Sequence, residues 1–169
     1  GKVLIKNVLT THLRPVISKL DEAGIKLTEY DDSILVDATD GYHKVDITTL
    51  PYPGFPTDMQ AQFMVLLALS DGMSVVKETI FENRFMHVNE LMRMGANIKL
   101  DGSSALIQGV KELEGAQVKA TDLRAGAALV IAGLVAAGRT EIYEPDHINR
   151  GFVSIEKKLQ GVGAKIWRE

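Results

Sequence analysis

The stretch Ala120-Thr121-Asp122-Leu123-Arg124-Ala125-Gly126-Ala127-Ala128-Leu129-Val130-Ile131-Ala132-Gly133-Leu134-Val135-Ala136-Ala137 decides the fold, because past its first turn every face is apolar. A helix without a polar stripe is expected to be buried all round. Its apolar part is too short to cross a bilayer, so a protein layer has to cover it. Thr121-Asp122 supplies the start signal. Gly126 and Gly133 each cost roughly 1 kcal/mol of helix propensity relative to Ala, which close packing against a neighbour offsets. A second stretch of the same kind, Met59 to Ser70, follows Pro56-Thr57-Asp58.

Outward from these helices one pattern recurs three times, a short apolar strand leading to an amphipathic helix closed by Leu-x-x-x-Gly. It runs from Val3-Leu4-Ile5 to Leu20 and Gly24, from Val75-Val76 to Leu91 and Gly95, and from Glu141-Ile142-Tyr143 to Leu159 and Gly163. Leu13, Val16, Ile17 and Leu20 share one helical face, with Lys19, Asp21 and Glu22 pointing outward. Each glycine stands where a left-handed residue ends a helix. Hairpins follow the first two, turning at Asp31-Asp32 and at Asp101-Gly102. The complete unit reads βαβαββ, with repeats over about 1–40, 44–110 and 116–169. The expected class is α/β (α+β), with apolar helices inside and sheets outside. The first repeat lacks its opening strand and buried helix, and the third stops at Ile166-Trp167-Arg168-Glu169 before its hairpin. Strand edges left open in this way are a liability, so the chain is expected to be a single domain that is a fragment or is completed by another chain segment; the alternative is a natural domain with irregular terminal units.

Composition narrows the function. A hydrophobic content of 46% over 169 residues supports one packed domain. With 19 basic and 22 acidic residues and no Lys/Arg run, nothing suits a phosphate backbone, and no nucleic-acid partner is expected. The absence of cysteine removes disulfides, thiolate metal sites and a cysteine nucleophile from this chain. No membrane span or signal-peptide pattern occurs, so the expected location is cytoplasmic. His12, His43, His87 and His147 include no pair at zinc-protease spacing, and no metal or cofactor is expected. Walker, dinucleotide and nucleophile-elbow motifs are missing.

The chemistry-bearing residues gather at the helix starts. Asp58 and Asp122 stand at equivalent N-termini. Capping explains both; equally, the exposed N–H groups and positive end of a buried helix can hold an anionic ligand or keep a carboxylate ionised. Arg84 and Arg150 correspond at the loops entering the amphipathic helices, either as solvated helix-start residues or as forks for carboxylate and phosphate. Arg124, in a first helical turn, opposes the dipole and so calls for an anionic partner.

Four segments resemble, in order, motifs of the UDP-N-acetylglucosamine 1-carboxyvinyltransferase family: Pro53-Gly54-Phe55-Pro56-Thr57-Asp58-Met59-Gln60-Ala61-Gln62-Phe63, Phe81-Glu82-Asn83-Arg84-Phe85-Met86-His87-Val88, Ala120-Thr121-Asp122-Leu123-Arg124-Ala125 and His147-Ile148-Asn149-Arg150-Gly151. The resemblance covers essentially the whole chain. It implies transfer of the enolpyruvyl group of phosphoenolpyruvate to the 3'-hydroxyl of UDP-N-acetylglucosamine with release of phosphate, the first committed step of peptidoglycan synthesis. It also implies a C-terminal domain built as an inside-out barrel of βαβαββ units, partnered by an N-terminal catalytic domain and completed by a segment that crosses over. By resemblance Asp58 contacts the sugar 3'-hydroxyl as general base, and the Ile80 backbone holds the sugar nucleotide. Arg150 pairs with the phosphoenolpyruvate carboxylate, Arg124 and Arg84 support the anionic site, and Asp122 lies near the reacting vinyl carbon. Asn149 departs from the family, which typically has aspartate there. The general-acid cysteine loop and a lysine-asparagine pair of the family lie outside this chain, so the fragment alone is expected to be inactive. The rival readings are the shikimate-pathway enolpyruvyl transferase, which shares the architecture, and a non-catalytic binding module.

Overall fold

A computed structural model describes residues 1–168; Glu169, the end of the terminal Ile166-Trp167-Arg168-Glu169 run, lies outside the described residues. The first set of elements is β1 (Lys2–Lys6), a 3-10 turn over Thr10–Leu13, α1 (Arg14–Glu22), β2 (Lys26–Glu29) and β3 (Ser33–Asp37), in an antiparallel sheet of order β1-β3-β2. The second is β4 (Ile47–Thr48), a 3-10 turn over Thr57–Met59, α2 (Gln60–Ala68), β5 (Met73–Lys77), α3 (Val88–Arg93), β6 (Asn97–Asp101) and β7 (Ser104–Gln108). Its sheet runs β4-β5-β7-β6, the first arrangement with β4 added in parallel on the outer side of β5. The third holds β8 (Gln117–Lys119), α4 (Leu123–Val135), β9 (Glu141–Tyr143), α5 (Asp146–Asn149) and α6 (Ile155–Gln160). Here β8 and β9 pair in parallel, as β4 and β5 do. The fold is mixed helix and strand.

The same cap closes three helices. Gly24, Gly95 and Gly163 have φ of +87°, +91° and +97°. The N–H after each glycine donates 3.0 Å to the leucine carbonyl five residues earlier, from Ile25 to Leu20, Ala96 to Leu91 and Ala164 to Leu159. That is the Schellman geometry, and it explains the Leu-x-x-x-Gly pattern: leucine gives the carbonyl and glycine the left-handed turn. Both hairpins form as expected, with Glu29 opposite Ile34 and Asp101 opposite Ser104.

Helices α2 and α4 pack together at the centre of the main core. Met64, Val65 and Leu67 of α2 and Ala128, Leu129 and Ala132 of α4 belong to one buried cluster with Ile47, Val76, Leu91 and Ile107. Full burial of each large side chain here stabilises by roughly 1.5–3 kcal/mol. The uniform apolarity of α2 is matched by burial on nearly every face. For α4 the expectation holds only in part. Ala125–Val130 and Ala132 are buried, but Ile131 is 40% exposed and Leu134 and Val135 share its stripe. The physical reason is that α2, α3, α5 and β9 pack on its other sides. Likewise α1 buries Val16 alone, while Leu13 falls in the 3-10 turn and stays exposed. β1 is a sheet edge with Val3, Leu4 and Ile5 each 46–47% exposed. Among the described residues no helix is long and apolar enough to cross a membrane.

Candidate active site

Two parallel strand pairs deliver the chain to the two helix starts. The Thr49 N–H donates to the Lys77 carbonyl at 2.9 Å, and the Ala120 N–H donates to that of Tyr143 at 3.0 Å, so the positions are equivalent. After Ala120 the chain enters α4 at once. After Thr49 it detours through residues 50–56, pinned by Phe55, which is buried edge-on to Phe63 with ring centres 4.9 Å apart.

Asp122 has extended backbone, and its Oδ1 accepts from the N–H groups of Arg124 at 2.8 Å and Ala125 at 3.0 Å, a side-chain cap on α4. Asp58 lies inside the 3-10 turn, and no side chain caps α2. Its carboxylate is 61% exposed; Oδ1 accepts from Arg124 Nε and stands 3.8 Å from Arg84 Nη1. Arg124 thus has the anionic partner that its unfavourable place in the first turn calls for, and the hydrogen bond to Asp58 raises its pKa. Arg84 lies over the Phe81 ring, 4.1 Å from its centre, a cation–π contact that fixes the guanidinium beside Asp58.

Asp122, Arg124 and Arg84 line one small cleft with Thr57, Gln60, Ala61, His87 and Ala125. Asp58 sits at its rim through the contacts to both arginines. His87 is buried with Nε2 3.3 Å from Met64 Sδ. Burial pushes its pKa down to about 4, against the opposing pull of Asp122 and a hydrogen bond at the Arg84 backbone, so it is neutral near pH 7. Gln60 Nε2 and Thr121 Oγ1 are buried without a hydrogen-bond partner among the described residues. No group of three or more possible metal-ligating side chains occurs among them.

Two candidates stand apart. Arg150 is the exposed residue that follows α5 at its C-cap, and it makes no side-chain hydrogen bond or ion pair among the described residues. Its neighbour Asn149 accepts instead from Arg168 Nη2 at 2.6 Å. α5 is nevertheless seated on α4, because Gly126 leaves room for Ile148; a Cβ there would lie 2.5 Å from Ile148 Cγ1. Ile80 is also outside the cleft lining, and its N–H donates to Glu78 Oε1 at 2.8 Å. Sequence reasoning missed Glu78, a buried carboxylate that reads as an ordinary charged strand end.

Two arginines gather around one exposed carboxylate, beside a capped helix start. The family model described as EPSP synthase (3-phosphoshikimate 1-carboxyvinyltransferase) matches residues 1–159, and the chain belongs to that family. Similar curated proteins carry a narrower name. UDP-N-acetylglucosamine 1-carboxyvinyltransferase 1 of Caldanaerobacter subterraneus subsp. tengcongensis is 60% identical over 169 residues, covering 100% of this chain and 41% of that protein. UDP-N-acetylglucosamine 1-carboxyvinyltransferase of Desulfofundulus thermocisternus is 53% identical over 168 residues, 99% of this chain and 69% of that one. Among solved structures, the enolpyruvyl transferase NikO of Streptomyces tendae superposes with a TM-score of 0.89 at 26% identity, covering 98% of this chain and 39% of that one. EPSP synthase of Acinetobacter baumannii shares the fold, with a TM-score of 0.77 at 16% identity over 100% of this chain and 40% of that one. The chain therefore spans about 40% of the length of the first of these relatives.

Proposed function

We propose that this chain is the C-terminal domain of a UDP-N-acetylglucosamine 1-carboxyvinyltransferase. In this reading it moves the enolpyruvyl group of phosphoenolpyruvate to the 3'-hydroxyl of UDP-N-acetylglucosamine with phosphate release, together with an N-terminal catalytic domain. The observation that carries the reading is the Asp58 carboxylate, uncapped, exposed and held by Arg124 and Arg84 at the start of a buried helix. A base needs reach and an ionised state, and the two guanidiniums favour the second.

Asp58 takes the proton of the sugar hydroxyl as its oxygen attacks C2 of phosphoenolpyruvate. Arg124 and Arg84 balance the anionic substrates, and Asp122 stands near the vinyl carbon as its proton is gained and lost. Arg150 pairs with the substrate carboxylate from α5, and the Ile80 carbonyl accepts from the sugar nucleotide. The repeated units, α2 and α4 inward, form an inside-out barrel over repeats of about 1–40, 44–110 and 116–169, completed by chain from elsewhere in the protein. The cytoplasm is the compartment this reading assigns; it requires no metal or cofactor.

The test is a hybrid in which this chain replaces the matching 41% of the Caldanaerobacter relative. Phosphate release with UDP-N-acetylglucosamine, and none with shikimate 3-phosphate, is the expected result. Release with shikimate 3-phosphate alone overturns the substrate assignment. The chain by itself should release no phosphate from the two substrates, and release would overturn the need for a partner domain.

A further inference from the structure

We infer that Glu78 is a positioning residue: one buried carboxylate ties together the three supports of the substrate site, the turn carrying Asp58, the Ile80 backbone and the ring beneath Arg84. The inference rests on the reading of Asp58 and Ile80 given above.

Glu78 follows β5 and is 2% exposed. A carboxylate that deep is costly unless its oxygens are engaged. Here Oε1 accepts from Thr49 Oγ1 at 2.9 Å, Ile80 N at 2.8 Å and Phe81 N at 3.1 Å, and Oε2 accepts from Thr57 Oγ1 at 2.8 Å. Its own N–H donates to the Ser103 carbonyl at 2.8 Å, so the backbone that carries it is anchored to the β6–β7 turn. Thr49 closes the frame, its hydroxyl accepting from Thr79 N at 2.9 Å while Thr79 Oγ1 donates to the Thr49 carbonyl.

Three of these four bonds, those from Thr57, Ile80 and Phe81, lead to groups of the proposed site. Thr57 precedes Asp58 in the 3-10 turn, a short element with no side-chain cap to hold it. The Phe81 N–H, which shares a planar trans peptide with the Ile80 carbonyl, turns inward to Glu78, and so directs that carbonyl the other way. Phe81, held by its N–H, supports Arg84, and Arg84 reaches Asp58. A carboxylate suits this task because one group accepts four hydrogen bonds from three separate segments at once.

The third set of elements shows the arrangement without this device. By strand register Glu144 occupies the position of Glu78. It is exposed, has φ of +58°, and pairs with Lys119 at 2.8 Å. There the aspartate caps its own helix and needs no outside support.

The experiment uses the hybrid enzyme, with Glu78→Ala, Glu78→Gln and Thr57→Val, and NMR of the Ile80 and Phe81 amides in the chain itself. Glutamine can present its carbonyl to the three donors on one side while Thr57 turns its hydroxyl to accept from the amide. The Gln variant should therefore keep kcat and KM within about twofold, with the Ile80 and Phe81 amide shifts little changed. The Ala variant should raise KM for the sugar nucleotide and lower kcat, each by about tenfold or more. Thr57→Val, which cuts only the link to the Asp58 turn, should lower kcat about fivefold and leave KM alone, and it decides the matter if the Ala variant does not fold. A Gln variant as damaged as Ala overturns the geometric role. So does an Ala or Val variant with unchanged kinetics in an active hybrid, leaving the proposed function standing. A wild-type hybrid that is inactive with UDP-N-acetylglucosamine overturns that function, and the inference with it.

Discussion

The starts of α2 and α4 share the dipeptide Thr-Asp and use it in opposite ways. At α4 the chain leaves β8 and reaches Asp122 in extended backbone, so the carboxylate folds back onto the amides of Arg124 and Ala125. At α2 the seven-residue detour over 50–56 brings Asp58 in through a 3-10 turn. That carboxylate caps nothing and meets Arg124 and Arg84 across the gap between the helices. Loop length, rather than residue identity, decides which aspartate caps its helix and which is left to pair with arginines.

The largest effect separates the two at once. In the hybrid enzyme Asp58→Asn should lower kcat by about a thousandfold, the scale on which a general base contributes. In the chain itself the same change should leave stability within about 0.5 kcal/mol, because an exposed ion pair contributes little. Steady-state kinetics and urea unfolding measure the two halves. An Asn variant that unfolds the chain, or keeps full turnover, would break the contrast.

His87 tests the ground between the helices. It touches Met64 of α2 and feels the charge of Asp122 at the start of α4. Its pKa is lowered to about 4 from an ordinary 6.5, mainly because burial disfavours the charged ring. A histidine whose folded pKa lies below its unfolded value contributes stability that is present above the unfolded pKa and lost as pH falls toward the folded one. Acidification from pH 6.5 to 4 should therefore cost roughly 3 kcal/mol through this group. Urea unfolding at a series of pH values should show a shallower acid slope for His87→Gln than for the unchanged chain. Parallel slopes would mean that the ring is not buried against α2 as described.

Much of the fold was legible because it repeats. Leu-x-x-x-Gly encodes a local cap, and the geometry at Gly24, Gly95 and Gly163 depends on few residues outside that pattern. The apolar run Met59 to Ser70 announced its burial for the same reason. The exposed stripe of Ile131, Leu134 and Val135 did not show, since periodicity reports how apolar a face is and not whether a neighbour covers it. At the site, Arg124 could be read from its conflict with the helix dipole, whereas its partner Asp58 lies 66 positions away in sequence and on another helix start. Glu78 was invisible because its four donors come from three segments that only the sheet brings together.

The smallest effect sharpens the comparison from the structural side. Asp122→Ala should destabilise the chain by about 1 kcal/mol, the usual cost of a lost N-cap, since two helix amides lose their acceptor. Asp122→Asn should recover most of that, because an amide oxygen caps nearly as well as a carboxylate. Asp58→Ala, at the equivalent position, should cost less than either, having no cap to remove. Urea unfolding of the three variants orders them directly. If Asp58→Ala proves as costly as Asp122→Ala, the 3-10 turn depends on that carboxylate after all, and the division of labour between the two helix starts fails; if the order holds, a hybrid carrying Asp122→Asn isolates what the Asp122 charge adds beyond its cap.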